Sequence, residues 1–302
     1  MKINTMKKKI ILLTLIAVIA CGALVSCGFV SAAAQVAGAT GIIDKNTANA
    51  ITASSQAIGS AAEEITPEQE YYIGRAVAAN ILSSYKVWKS NSALTTYLNN
   101  ICAAITINSP RPDIYNGYKV AILDSNEINA FATPGGHILV TRGLINTAKS
   151  EDALAGVIAH EVAHIQLQHA VKAIKTSRIT QALIVTGTSA VGAAAGMDVN
   201  ELTSVFNESV GEIVQTMVNS GYSQTQEFDA DNTAMSLMAS AGYNPQGLLE
   251  MLRSLGTGGG SGFGKTHPTP EQRIKNAEKS VGKYNVANNS SFRQARFGAA
   301  VK

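Results

Sequence analysis

Apolar positions follow three regimes along this chain, and each predicts a different kind of segment. Residues 10–20 are almost wholly apolar and follow a basic stretch ending at Lys9, the layout of an export signal over the first 26 residues. From Cys27 to about Ile65 the chain is rich in Ala, Ser, Thr and Gly with few large apolar residues, which predicts a tether of little fixed structure. Beyond it, three- and four-residue spacing takes over. Thr66-Pro67-Glu68-Gln69 forms a capping box with Pro in the first turn, opening a helix to about residue 86, and a second helix is expected over 93–107.

The pattern then changes period. Residues 118–124 and 130–144, the latter broken by Pro134-Gly135-Gly136, carry β-branched residues at short spacing and predict two or three strands. Ser150 before Glu151 and Asp152 supplies an N-cap and acidic charge for a helix expected to reach about residue 176. Residues 179–197 are apolar but interrupted by Gln181, Thr186, Thr188, Ser189 and three glycines, so a packed hairpin or surface-seeking segment fits better than a membrane span. Helices follow from Asp198 to a stop at Gly221, over 224–241, over 245–255 and over 266–281, with a Gly/Ser loop at 256–264 and a polar tail over 284–302. The fold expected is α+β and mainly helical, with a small, mostly antiparallel sheet beside the helix that opens at Ser150. The main domain is expected over 66–283.

Composition adds two exclusions. Four of the 24 basic residues, Lys2, Lys7, Lys8 and Lys9, precede residue 27, and the rest nearly balance 21 acidic ones, so the pI of about 8.7 is no argument for nucleic acid. Leu24-Val25-Ser26-Cys27 resembles a lipoprotein lipobox, with Cys21 as a looser alternative. If Cys27 carries lipid, Cys102 is the last thiol of the mature chain and no internal disulfide can form. Cys102, among Leu98, Ile101 and Ile105, reads as a buried small hydrophobe.

The chemistry centres on His160-Glu161-Val162-Ala163-His164. On a helix, residues four apart are offset by about 40° and one turn, so both imidazoles can reach one metal ion. Glu161 projects about 100° round from His160, where its carboxylate can work beside the metal without binding it. A catalytic zinc needs a third protein donor, and Glu227-Phe228-Asp229-Ala230-Asp231 offers one. Glu227 and Asp231 share a helix face, so one could bind metal while the other accepts the outer N–H of a histidine; Asp229 should face elsewhere. His169, nine residues after His160, falls on the opposite side of a straight helix and reads as structural. His137 has no evident partner. His267, with Arg273 further along the next helix, could either stabilise an oxyanion or simply begin a helix.

Together these residues resemble a family. His160 to His164, Glu227 to Asp231, Asn129-Ala130-Phe131-Ala132 with Pro134-Gly135-Gly136, and His267-Pro268 with Arg273-Ile274 resemble the gluzincin peptidases of the CAAX prenyl endopeptidase and HtpX group, its small periplasmic lipoproteins above all. The resemblance covers about residues 66–283. It implies one zinc ion held by His160, His164 and Glu227, Glu161 as general base and acid, and Asp231 orienting a histidine. It also implies that Asn129 and Ala130 lie on an edge strand that pairs with extended substrate. His267 and Arg273 match the last motif and would lie over the metal. Lacking several clear membrane spans, the chain is expected to cleave unfolded or misassembled envelope proteins rather than prenylated ones. A zinc-binding chaperone or scaffold is the competing expectation. Gly28 after the lipid cysteine favours the outer membrane as destination.

Overall fold

The structure, a computed structural model, describes residues 34–41, 44–52, 65–172, 199–257, 266–267, 269–286 and 290–301. The expected export signal, Cys27, the apolar stretch 179–197 and loop residues 258–264 lie outside these. Among the described residues no helix is long and apolar enough to cross a membrane.

The chain divides into two compact units, one of residues 1–64 and 174–207 and one of 65–173 and 208–302. In the first, residues 34–39 and 45–52 are helical, within the segment expected to have little fixed structure. Ala is the best helix former, and here it is also the residue buried: Ala34, Ala37 and Ala48 are all inaccessible. Asp44 starts the second of these helices, its Oδ1 accepting from Thr47 N at 2.9 Å.

The second unit holds every residue singled out for chemistry except Cys27. Its elements are α1 (Pro67–Ser84), α2 (Ser92–Thr106), β1 (Lys119–Leu123), β2 (Ala130–Thr133), β3 (His137–Thr141), α3 (Arg142–Thr147), α4 (Glu151–Gln166), α6 (Gln224–Ser240), α7 (Gln246–Thr257), α8 (Pro270–Val281) and α9 (Ser290–Val301). Helix α5 (Val199–Val214) is followed by a wide turn over Gln215–Ser220 that leads to Gly221. The capping boxes form as their sequences demand: Thr66 Oγ1 accepts from Gln69 N at 3.2 Å, and Ser223 Oγ from Gln226 N at 3.3 Å.

The sheet has the order β1-β3-β2 and is mixed rather than mostly antiparallel. Pro134-Gly135-Gly136 turns β2 back into β3, with Gly135 at φ 70°. Because residues 124–129 have already reversed the chain, β3 must run parallel to β1 when it inserts between the two. The β1 edge is closed: the Asn99 amide donates to Val120 O and accepts from Val120 N, at 2.8 and 2.9 Å, and Trp88 N donates to Ile122 O at 2.7 Å. That leaves β2 as the edge with no strand beside it among the described residues.

Helix α4 is the centre of the core, with each residue from Glu151 to Ile165 buried. It can be enclosed so completely because its sequence is mostly Ala, Val, Ile and Gly, and Gly156 lets α7 come close: a Cβ there would lie 2.9 Å from Leu248 Cα. Most of the expected polar tail forms a helix, α9. It docks with Phe297 in the core and the Arg293 Nε to Asp152 Oδ1 pair at 2.9 Å. Cys102 is buried as expected, and desolvation pushes its thiol up to about 12.

Candidate active site

Three elements bring the chemistry together. Helix α4 contributes His160, Glu161 and His164, the first turns of α6 contribute Glu227 and Asp231, and the segment entering α8 contributes His267 and Arg273. All seven are buried. Because Ser223 fixes where α6 begins, Glu227 falls in its first turn and Asp231 one turn on, on the same face, while Asp229 is exposed.

The geometry answers the central question. Glu227 Oε2 lies 3.4 Å from His160 Nε2, Glu227 Oε1 lies 3.4 Å from His164 Nε2, and the two Nε2 atoms are 3.1 Å apart. Donors about 2.0–2.2 Å from a tetrahedral zinc stand about 3.3 Å from one another, so these spacings fit the ion without rearrangement. His267 joins them, its Nδ1 at 2.8 and 2.9 Å from the two oxygens of Glu227. One atom from each of His160, His164, Glu227 and His267 lies within 4.8 Å of all the others, four donors that could hold one metal ion.

Around the donors lies a set of partners. Asp231 Oδ1 is 3.0 Å from His160 Nδ1, and Arg273 clamps that carboxylate through Nε to Oδ2 at 2.9 Å and Nη2 to Oδ1 at 2.6 Å. Arg273 Nη1 also reaches Glu227 Oε2 at 3.4 Å. His164 is partnered differently. Helix α4 stops at Gln166 instead of continuing to residue 176, and Gln168 takes a left-handed conformation at φ 55°. Arg111 Nη1 closes the exposed helix end on Ile165 O at 3.0 Å, and its Nη2 pairs with the buried Glu70 at 2.8 Å. The reversal carries His169 back to His164, Nδ1 to Nδ1 at 2.9 Å. His169, expected on the opposite side of a straight helix, thus meets His164 because the helix ends before it.

Charge follows this layout. Burial works against ionising Glu227, but the Arg273 guanidinium, the His267 ring against it and the hydrogen bonds from His160 and His164 hold its carboxyl well below the usual range. Asp231, equally buried, stays at about 2 because Arg273 lies against it. Burial and the nearby guanidinium push His160 down, yet its bonds to Asp231 and Glu227 prevail and set it at about 9. Burial drives His164 down to about 3 and His169 to about 4. Glu161 is raised by desolvation, and its Oε1 has no hydrogen-bond partner among the described residues.

The edge strand is in place. Ala130 begins β2, and Asn129 just before it is buried, its Oδ1 accepting from Ala130 N at 2.9 Å and from Thr266 Oγ1 at 3.4 Å. Thr266 thus covers that end of the edge, and it also fixes Gly221, where φ is 73° and a Cβ would lie 2.4 Å from Thr266 O. His137 lies apart, stacked on Tyr71 with ring centroids 5.4 Å apart. One aromatic of the site escaped the sequence reading: Tyr222 stacks on His164, centroids 4.3 Å apart and planes at 22°. Its only signal in the sequence is its place between the Gly221 stop and the Ser223 cap.

A short helical His pair, an intervening glutamate and a carboxylate from a second helix define the gluzincin class of metallopeptidase. Residues 91–281 match the model of peptidase family M48, more than half of the chain, and the chain belongs to that family. It is 26% identical to the mitochondrial metalloendopeptidase OMA1 of Schizosaccharomyces pombe over 66% of this chain and 57% of that one. It is 30% identical to the metalloprotease LoiP of Escherichia coli over 62% of this chain and 70% of that one. With the beta-barrel assembly-enhancing protease of E. coli it shares 24% over 61% of this chain and 38% of the other. The chain thus spans between 38% and 70% of the length of these relatives. The cofactor is zinc, and the nitrogen and carboxylate donors suit it.

Proposed function

We propose that the protein is a zinc endopeptidase of the cell envelope, lipid-anchored through Cys27, that hydrolyses peptide bonds of unfolded or misassembled proteins. The carrying observation is the Glu227 carboxylate 3.4 Å from both imidazoles of the α4 pair, with an unpartnered Glu161 oxygen buried beside them. The substrate class draws support from the relative named for enhancing beta-barrel assembly. The destination, the periplasmic face of an outer membrane, rests on the lipobox and on Gly28 after it.

In this reading His160, His164 and Glu227 would hold zinc, which when bound would polarise the scissile carbonyl and lower the pKa of a bound water from about 15.7 toward 7. Glu161 takes the proton as water oxygen bonds to the carbonyl carbon, then returns it to the leaving amine as the C–N bond breaks. Its raised pKa suits both halves of that exchange. Asp231 accepts from His160 and fixes its tautomer, and Arg273 holds Asp231. Substrate backbone adds to β2 at Asn129 and Ala130, where Thr266 now lies, so the 266–267 segment moves aside and takes His267 away from Glu227. His267 then has room to face the oxyanion.

The experiment is cleavage of casein or an unfolded outer-membrane protein by the mature chain, with and without chelator. Glu161→Gln is expected to keep one zinc per chain and lose at least 1000-fold in kcat, on the order of a general base and its proton relay. Undiminished cleavage by that variant defeats the assignment. A second reading has one observation behind it: four protein donors with no open position are the pattern of a structural zinc site. A zinc-holding chaperone would form complexes with the unfolded protein and release no fragments.

A further inference from the structure

Among the described residues Tyr222 is the one aromatic hydroxyl at the metal group, and the roles described so far leave it idle. Its ring lies flat on His164 and 5.7 Å from the His169 ring. Its hydroxyl is shielded from solvent and has no hydrogen-bond partner among the described residues. Buried polar groups are satisfied almost without exception, and leaving one unmade is costly, so an orphaned phenol beside a catalytic group needs a reason.

The backbone holds this side chain in a fixed place. Tyr222 occupies the link between Gly221, which Thr266 pins, and Ser223, which caps α6. It therefore belongs to the same junction that sets the position of Glu227. A donor fixed in advance, desolvated and unspent in the substrate-free site is what electrostatic stabilisation of a developing oxyanion requires.

We propose that the Tyr222 hydroxyl is a catalytic hydrogen-bond donor to the carbonyl oxygen of the scissile peptide, strengthening as that oxygen gains charge. This rests on the endopeptidase reading above. As water adds, the carbonyl π pair moves onto oxygen and the phenol O–H donates to it without transferring its proton. As the C–N bond breaks the pair returns to carbon, and the hydroxyl is released unchanged.

Tyr222→Phe keeps the ring on His164 and removes only the donor. Expected are a fall in kcat of about 100-fold, a KM within twofold, and zinc stoichiometry and affinity unchanged. A phosphinic peptide, whose two oxygens copy the tetrahedral intermediate, should bind more weakly by about the same factor in calorimetry, a readout independent of turnover. Cleavage by the unaltered, zinc-loaded chain, abolished by chelator, is the control, and its absence sinks the endopeptidase reading rather than this one. A kcat within threefold of the control, or a variant whose only defect is weaker zinc binding, overturns the donor and makes Tyr222 a wall of the site. If phenylalanine lowers the unfolding midpoint, 3-fluorotyrosine at 222 preserves the shape and sharpens the donor; a kcat that ignores that change in acidity overturns the proposal equally.

Discussion

His160 and His164 sit one helical turn apart and reach the same group of donors, yet the molecule holds them by opposite means. His160 leans on charge: Asp231 from α6 accepts from its Nδ1, and Arg273 from α8 clamps Asp231 with two bonds. His164 leans on neutral rings: His169 lies 2.9 Å from its Nδ1 and Tyr222 covers its face. The first arrangement is assembled across more than 100 residues of sequence, the second from the next turn of chain and from Tyr222 before α6. The difference implies that damage on the His160 side should reach the whole fold, and damage on the His164 side should stay local.

The largest effect is expected from Arg273→Ala. Arg273 is about 1% exposed and faces two buried carboxylates, Asp231 and Glu227. Removing it takes the one guanidinium away from both and leaves them only their histidine partners, which should cost about 3–5 kcal/mol in urea unfolding of the metal-free chain. A loss below about 1 kcal/mol would mean that the charged side is no more than a local orienting device. Asp231→Asn asks a narrower question. The amide can still accept from His160, but the charge that favours the imidazole as donor is gone, and zinc affinity measured against a competing chelator should fall about 10- to 100-fold.

These effects also mark what could and could not be read from the chain. Caps at Thr66 and Ser150 were legible because a cap is decided within four residues, and the His160, Glu161 and His164 spacing because helical period sets which side chains share a face, whereas the choice of Glu227 over Asp231 as donor came from the family resemblance. Three things were not legible. The reversal after α4 depends on one residue, Gln168, taking a left-handed conformation that glycine or asparagine normally signals. The helical tail depends on Arg293 meeting Asp152 across 141 residues, a contact with no local signature. The parallel pairing of β1 with β3 follows from which side of β1 the hairpin joins, a choice that alternation in the strands leaves open. In each case a tertiary contact decided a structure that local propensity left undetermined.

The smallest effect is expected at His169, and it tests the comparison most directly. A histidine that binds metal through Nε2 must carry its proton on Nδ1, and that N–H needs an acceptor; the facing Nδ1 of His169 can be one only if His169 keeps its own proton on Nε2. Burial favours that neutral form by pushing His169 down to about 4. A neutral imidazole accepts less strongly than a carboxylate, so His169→Ala should weaken zinc by about tenfold, the lower end of what such partners contribute. His169→Asn, whose amide oxygen can accept the same proton, should recover part of the loss, and unfolding of the metal-free chain should move little in either variant. Equal losses at His169 and Asp231 would show that the charge on the His160 side adds nothing to metal binding and serves only to hold α4, α6 and α8 together.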